Sequence, residues 1–172
     1  SKMEAGNLKW NMISLDLGAV MEAAVAAASP LAQAEGVRLD LDLPGGLPRV
    51  RADRDRLIQV LVNLISNAVK FCDPNDGHIR VTAMVDGGMV TVDVIDNGPG
   101  VAPGERDSIF ERFQQGGSGE TLTNKPKGTG LGLAICREIV ERFGGKVWVE
   151  AAPRQGSVFR FTLPTSTTDA AD

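Results

Sequence analysis

Asn63-Leu64-Ile65-Ser66-Asn67-Ala68-Val69-Lys70-Phe71 decides how the rest of this chain is read. The stretch closes a helix that Asp53 caps and that runs to about Phe71. At 100° per residue, Asp55, Arg56, Gln59, Asn63, Ser66, Asn67 and Lys70 fall within one arc of roughly 120°. Leu57, Ile58, Val60, Leu61, Val62, Leu64, Ile65, Ala68, Val69 and Phe71 fill the remainder. A surface helix is polar over more of its circumference than this, so the spacing predicts a helix sunk into the protein with a narrow wet stripe left open. Asn63 and Asn67 are poor helix formers set one turn apart on that stripe. The Asn67 carbonyl oxygen is able to ligate a hard cation such as Mg²⁺. Lys70, a turn further on, offers a point charge suited to phosphate. On this stretch alone, an ordinary solvated helix face explains the pattern equally well.

The next informative region is rich in glycine: nine of the 20 glycines lie between Asp96 and Gly132. Val92, Val94 and Ile95 lead into Asp96-Asn97-Gly98-Pro99-Gly100-Val101. A carboxylate at a strand end can accept a hydrogen bond from an exocyclic amine, and missing side chains at Gly98 and Gly100 let a flat ring approach the backbone. A plain Asn-Gly turn would lead straight into another strand, whereas here Pro103 and a short helix near 105–113 intervene. Phe110 and Phe113, a turn apart, read as anchors to the core. Residues 116–127 carry almost nothing apolar, which predicts a segment mobile without ligand and suited to a lid. Gly128-Thr129-Gly130-Leu131-Gly132-Leu133 then opens a helix running from Leu131 to Phe143, whose free backbone N–H groups suit phosphate. Lys127 precedes the glycines, so this is no Walker loop, and the glycine spacing is not that of a dinucleotide fingerprint.

Working outward, 172 residues favour one domain. Hydrophobic residues at 42% and charged residues at 23% exclude a disordered or collagen-like chain. A net charge of −4 argues against nucleic-acid binding. No apolar run approaches the roughly 20 residues of a membrane span, so membrane contact is not expected. Cys72 and Cys136 fit no metal spacing and read as reduced cytoplasmic thiols. Ile13, Leu15 and Leu17 suggest a first strand, and the alanine-rich run from Gly18 to Glu35 a helix that Pro30 should bend or restart. Val37, Leu39, Leu41 and Leu43 alternate as a strand. Strands at 78–85 and 89–95 form a hairpin about Asp86-Gly87-Gly88, and a second hairpin spans 146–150 and 157–163. The expected architecture is α+β: two layers, a mixed and mainly antiparallel sheet with helices on one face. Residues 165–172 read as a disordered tail.

The asparagine-bearing helix, the Asp-x-Gly-x-Gly turn, the Phe-x-x-Phe segment and Gly-Thr-Gly-Leu-Gly-Leu, in this order and spacing, resemble the ATP-binding catalytic domain of sensor histidine kinases. That family sits within the gyrase, chaperone, histidine-kinase and MutL superfamily with the Bergerat ATP-binding fold. The resemblance assigns 63–71 as N box, 96–100 as first glycine box, 110–113 as F box and 128–133 as second glycine box, with Gly156-Ser157-Val158-Phe159 as a closing strand. It divides the chain into 1–12, the end of a preceding dimerisation helix and its linker, and 13–164, the ATP-binding domain.

The resemblance also implies roles. Asn67 should coordinate Mg²⁺ on the ATP phosphates with support from Asn63, and Lys70 should contact phosphate. Phe71 should lie near the adenine, Asp96 should accept its amino group, and Gly98, Gly100 and Val101 should frame the ring. Phe110 belongs to the same nucleotide-binding set. Lys127, Gly128, Thr129, Gly130, Leu131 and Gly132 should wrap the phosphates, and Gln114 is a further metal ligand in some relatives. Where Gln115 stands, many relatives carry Arg, so the γ-phosphate contact passes to Lys125, Lys127 or Arg112. Superfamily members that hydrolyse ATP place a general-base Glu four residues before the metal-binding Asn; here that position is Asn63.

Phosphotransfer to a histidine on a separate dimerisation domain is therefore expected, with a response-regulator receiver domain as the next partner and a homodimeric parent protein, for which a membrane anchor stays open. His78, the sole histidine, lacks an acidic neighbour and reads as an ordinary strand residue rather than an acceptor. A degenerate nucleotide sensor and an anti-sigma-type serine kinase are the alternatives of the same fold.

Overall fold

The computed structural model describes residues 9–111 and 132–166. The elements follow as β1 (Met12–Leu15), α1 (Leu17–Ala34), β2 (Arg38–Asp42), β3 (Val50–Asp53), α2 (Arg54–Phe71), β4 (His78–Asp86) and β5 (Met89–Asp96). Two 3-10 turns, Pro103–Glu105 and Ser108–Phe110, precede α3 (Gly132–Arg142), β6 (Val147–Ala151) and β7 (Ser157–Pro164).

The main sheet has the order β2-β4-β5-β7-β6, parallel only between β2 and β4. Its inner face, including Ile79, Val81, Val92, Val94, Phe159, Phe161 and Leu163, is buried with Leu57, Leu61, Leu64 and Ile65 of α2 in one core. Its outer face is polar, and there Arg160 grips Asp93 through Nε and Nη2 at 2.7 and 3.0 Å while Nη1 donates to Glu150 at 3.1 Å. The layered α+β architecture expected from the hairpins and helices is present.

Local differences have physical causes. Leu17 belongs to α1, not to the first strand, because Asp16 caps the helix by accepting from the Ala19 N–H at 3.2 Å. Pro30 does not restart α1, which is continuous from Leu17 to Ala34: it lies on the exposed side in the last turns, where water can serve the carbonyl it leaves without an N–H partner. By length and composition α1 could cross a membrane, yet Leu17, Val20, Met21, Ala24, Ala28 and Ala32 pack into the core.

β3 was not apparent from the sequence; it pairs antiparallel with β1 to make a second, two-stranded sheet. Over the described part of the short helix expected near 105–113, the backbone forms 3-10 turns rather than an α-helix. Thr165 and Ser166 are not a loose tail. Thr165 bridges to Val50 and donates its N–H to the Gly88 carbonyl at 3.0 Å, while the Ser166 N–H donates to the Arg49 carbonyl at 2.7 Å. His78 opens β4, with Nε2 2.7 Å from Asp40 Oδ2 on the neighbouring strand.

Candidate nucleotide site

α2 supplies the floor of the site. The Asp53 carboxylate, only 4% exposed, caps it by accepting from the Arg56 N–H at 3.1 Å. Leu57, Val60, Leu61, Leu64, Ile65, Ala68 and Val69 are buried, while Asn63, Ser66, Asn67 and Lys70 are half-buried along one side. The wet stripe therefore exists, and it is partly enclosed rather than fully solvated. Phe71, at the end of the helix, keeps 43% of its surface exposed, unusual for a large aromatic side chain in this protein.

The end of β5 meets the end of α2 through backbone. A Cβ built on Gly98 would stand 2.0 Å from the Phe71 carbonyl oxygen, so that glycine is demanded by close approach of the two segments. This differs from the sequence-based reason for Gly98, which assigned its bare face to a ligand ring. Gly100 has φ +86 and lies against Gly156. Gly156 has φ +108, and a Cβ there would stand 1.9 Å from the Asp96 carbonyl oxygen. The first glycine box and the closing strand are thus locked together around Asp96.

Asp96 is only 4% exposed. Burial pushes its carboxyl above the ordinary carboxylate range, while hydrogen bonds from the Gly98 and Ser157 backbone N–H groups pull the other way. The Gly98 N–H to Oδ1 distance is 2.9 Å. A carboxylate fixed by two main-chain donors keeps its remaining lone pairs available to a third donor.

Asn97, which sequence reasoning passed over, staples the segment after α2 to β5. Its Oδ1 accepts from the Asp73 and His78 N–H groups at 3.3 and 3.1 Å, and its Nδ2 donates to the Asp76 carbonyl at 2.7 Å. Only the Asn-Gly pair signalled anything here, and it signalled a turn. Asn97→Ala should cost about 1–2 kcal/mol in urea unfolding by orphaning these backbone groups; a change below about 0.3 kcal/mol would show that the staple carries no stability.

α3 closes the third side. Cys136 is fully buried, with Sγ 3.8 Å from the Val60 carbonyl oxygen. Burial pushes its thiol up to about 12, against a hydrogen bond with the Asn63 side chain. The buried thiol thus seats α3 on the asparagine stripe. At Gly132, where α3 begins, an added Cβ would meet none of the described residues within 4 Å.

Phe110 is 2% exposed and lies edge-on to Phe159 with centroids 6.1 Å apart. It is an anchor with almost no surface left for a ligand. Val101 is half-buried against the core. Arg112, Phe113, Gln114, Gln115, Lys125, Lys127, Gly128, Thr129, Gly130 and Leu131 lie outside the described residues. Among the site residues named from sequence, the structure assembles Asn63, Asn67, Lys70, Phe71, Asp96, Gly98, Gly100 and Val101 on α2 and the end of β5, with Gly132 opening the adjoining α3.

Residues 52–167 match the family described as histidine kinase-, DNA gyrase B-, and HSP90-like ATPase. The adaptive-response sensory kinase SasA of Parasynechococcus marenigrum (strain WH8102) is 36% identical over 168 residues, which cover 94% of this chain and 43% of SasA. The chain thus spans less than half the length of this curated relative. Among solved structures, full-length ShkA in complex with AMPPNP superposes with a TM-score of 0.78 at 35% identity, covering 95% of this chain and 33% of ShkA. The nucleotide-free catalytic domain of the histidine kinase ThkA gives a TM-score of 0.75 at 29% identity, covering 92% of this chain and 99% of that domain. This chain is a member of the histidine kinase-, DNA gyrase B- and HSP90-like ATPase family, and within it is built as the ATP-binding catalytic domain of a sensor histidine kinase.

Proposed function

We infer that this domain binds ATP with Mg²⁺ between α2, the end of β5 and the start of α3, and presents the γ-phosphoryl group to a histidine on a dimerisation domain. The observation that carries this reading is the buried Asp96 carboxylate, held by the Gly98 and Ser157 N–H groups where Gly98 abuts the end of α2, the helix whose half-buried side carries Asn63, Asn67 and Lys70. Asp96 is suited to accept the adenine amino group, Lys70 to meet phosphate, and the exposed face of Phe71 to pack on the base. Gly132 brings no side chain to the start of α3, which suits a phosphate approaching the backbone there.

The donor set fits Mg²⁺. Among the described residues no three His, Cys, Asp or Glu side chains cluster, and what α2 offers is the Asn67 amide oxygen, supported by Asn63. A hard cation that keeps phosphate and water oxygens needs few protein ligands, and one neutral carbonyl completes such a shell. Bound there, Mg²⁺ would supply charge neutralisation along the triphosphate. Asn63 stands where hydrolytic relatives carry their base, and an amide cannot take a proton from water. The geometry thus favours holding and aiming the nucleotide over hydrolysing it.

The phosphate acceptor would be a histidine on a neighbouring dimerisation domain, and the next partner a response-regulator receiver domain in a homodimeric parent. A solved complex of ThkA with the response regulator TrrA, 28% identical with a TM-score of 0.76, supports that partnership. Supplying a histidine-bearing dimerisation domain in trans with labelled ATP should give acid-labile phosphohistidine, and Asn67→Asp should lower its formation roughly 100-fold. Undiminished transfer by Asn67→Asp would remove Asn67 from its assigned role. Label on serine of an added partner would instead favour a serine kinase of the same fold.

A further inference from the structure

We propose that Trp10 is a latch through which the segment entering the domain sets the relative placement of α2 and α3; this rests on the nucleotide reading above. The half-buried indole lies beneath two guanidinium groups, Arg56 at 4.1 Å and Arg142 at 4.9 Å from its centroid. Phe143 meets it edge-on with centroids 6.0 Å apart at 84°.

Arg56 sits in the first turn of α2, on the same stripe as Asn63 and Asn67. Arg142 is the last residue of α3, the helix that Gly132 opens. One ring therefore joins the two helices at the ends away from Phe71 and Gly132. The backbone beside it is held as well: the Asn11 N–H donates to Asp53 Oδ2 at 2.8 Å, and an Arg56 branch donates to the Lys9 carbonyl at 3.4 Å and to Asp53 Oδ2 at 2.8 Å.

The arrangement is held without being saturated. Arg56 Nε is buried and has no hydrogen-bond partner among the described residues, a cost that the seated arrangement carries. Two cations on one aromatic ring repel each other, and the ring is what makes their shared position favourable. A seat of this kind has an alternative, in which Trp10 withdraws, the guanidinium groups rehydrate, and α3 is freer to shift on α2. Nucleotide gripped by residues of both helices favours the seated state, and by linkage the seated state favours nucleotide.

The test uses the full 172-residue chain carrying Trp148→Phe, which leaves Trp10 the only one of the two tryptophans. Trp148 lies on β6, its indole N–H 2.6 Å from Glu150 Oε2, outside the site. Titration with AMPPNP and Mg²⁺ should shift Trp10 emission along the same isotherm that calorimetry records. Trp10→Ala should weaken binding about fivefold or more. Arg142→Gln, at an exposed residue, should weaken binding in the same direction with an unchanged melting temperature, and it carries the test if Trp10→Ala does not fold. Full calorimetric saturation with unmoved emission, and unaltered affinity in the variants that fold, would make the clamp a static anchor and overturn the proposal. Absence of calorimetric binding in the folded chain would instead sink the nucleotide reading, and this inference with it.

Discussion

Gly156→Ala should be the most destabilising single-methyl substitution in the described part of the site, lowering the unfolding free energy by about 3–5 kcal/mol. Two independent costs combine. The residue has φ +108, a conformation L side chains rarely adopt, and its Cβ would stand 1.9 Å from the Asp96 carbonyl oxygen and 2.8 Å from Asn97 Cα. Both obstacles are backbone, so no rotamer change relieves them. The strand pair that places Asp96 opposite Ser157 would have to part. Gly98→Ala should follow closely, because its obstacle is the Phe71 carbonyl at 2.0 Å. Gly132→Ala is the internal control: its Cβ would meet none of the described residues within 4 Å, and it should melt within about 0.5 kcal/mol of the parent. Urea melts of the three variants check the set, and equal stability for Gly156→Ala and Gly132→Ala would contradict the packing described here.

Asp96→Asn should weaken ATP binding about 10- to 150-fold, the loss of a charged, desolvated acceptor facing an amine. The substitution replaces one carboxylate oxygen by an NH₂ group. One oxygen can still accept from the Gly98 N–H, but an amino group then faces either the Ser157 N–H or the adenine amine, donor against donor. The wild-type side chain also predicts a pH dependence. Its carboxyl is raised above the ordinary range by burial, so protonation on acidification begins at a higher pH than for an exposed carboxylate. Protonation converts an acceptor into a donor, so affinity should fall over that window, and the Asn variant should lack that limb.

Stability has the opposite sign. A raised acid favours the folded state below the unfolded value, and this contribution is lost as pH rises through the folded value. Ionisation of the buried Asp96 carboxyl therefore weakens the fold. Parallel affinity–pH curves for wild type and Asp96→Asn would contradict this assignment.

Much of this was legible in the sequence where contrast was strong. The extent of α2, from the Asp53 cap to Phe71, follows from apolar residues interrupted by a single polar arc, and the Asp86-Gly87-Gly88 hairpin from turn chemistry flanked by alternating strands. β3 escaped because four residues carry too short a pattern, and its partner, β1, is distant in sequence. The Asn97 staple has no periodic signature, since a side chain bonding backbone 19 to 24 residues away leaves nothing local to read. Gly98 and Gly156 were noticed as glycines, but the reason for each is a neighbour brought near only by folding. The seat of Trp10 depends on Arg56, Arg142 and Phe143, which no spacing rule connects.

The central claim is that the enclosed α2 stripe and the buried Asp96 form one adenine-nucleotide site. Calorimetric titration of the folded chain with AMPPNP, with and without Mg²⁺, tests it most directly. The account predicts saturable one-to-one binding, strengthened by Mg²⁺ and weakened by Asp96→Asn. A folded protein that takes up no AMPPNP, or binds it equally well after Asp96→Asn, would contradict it.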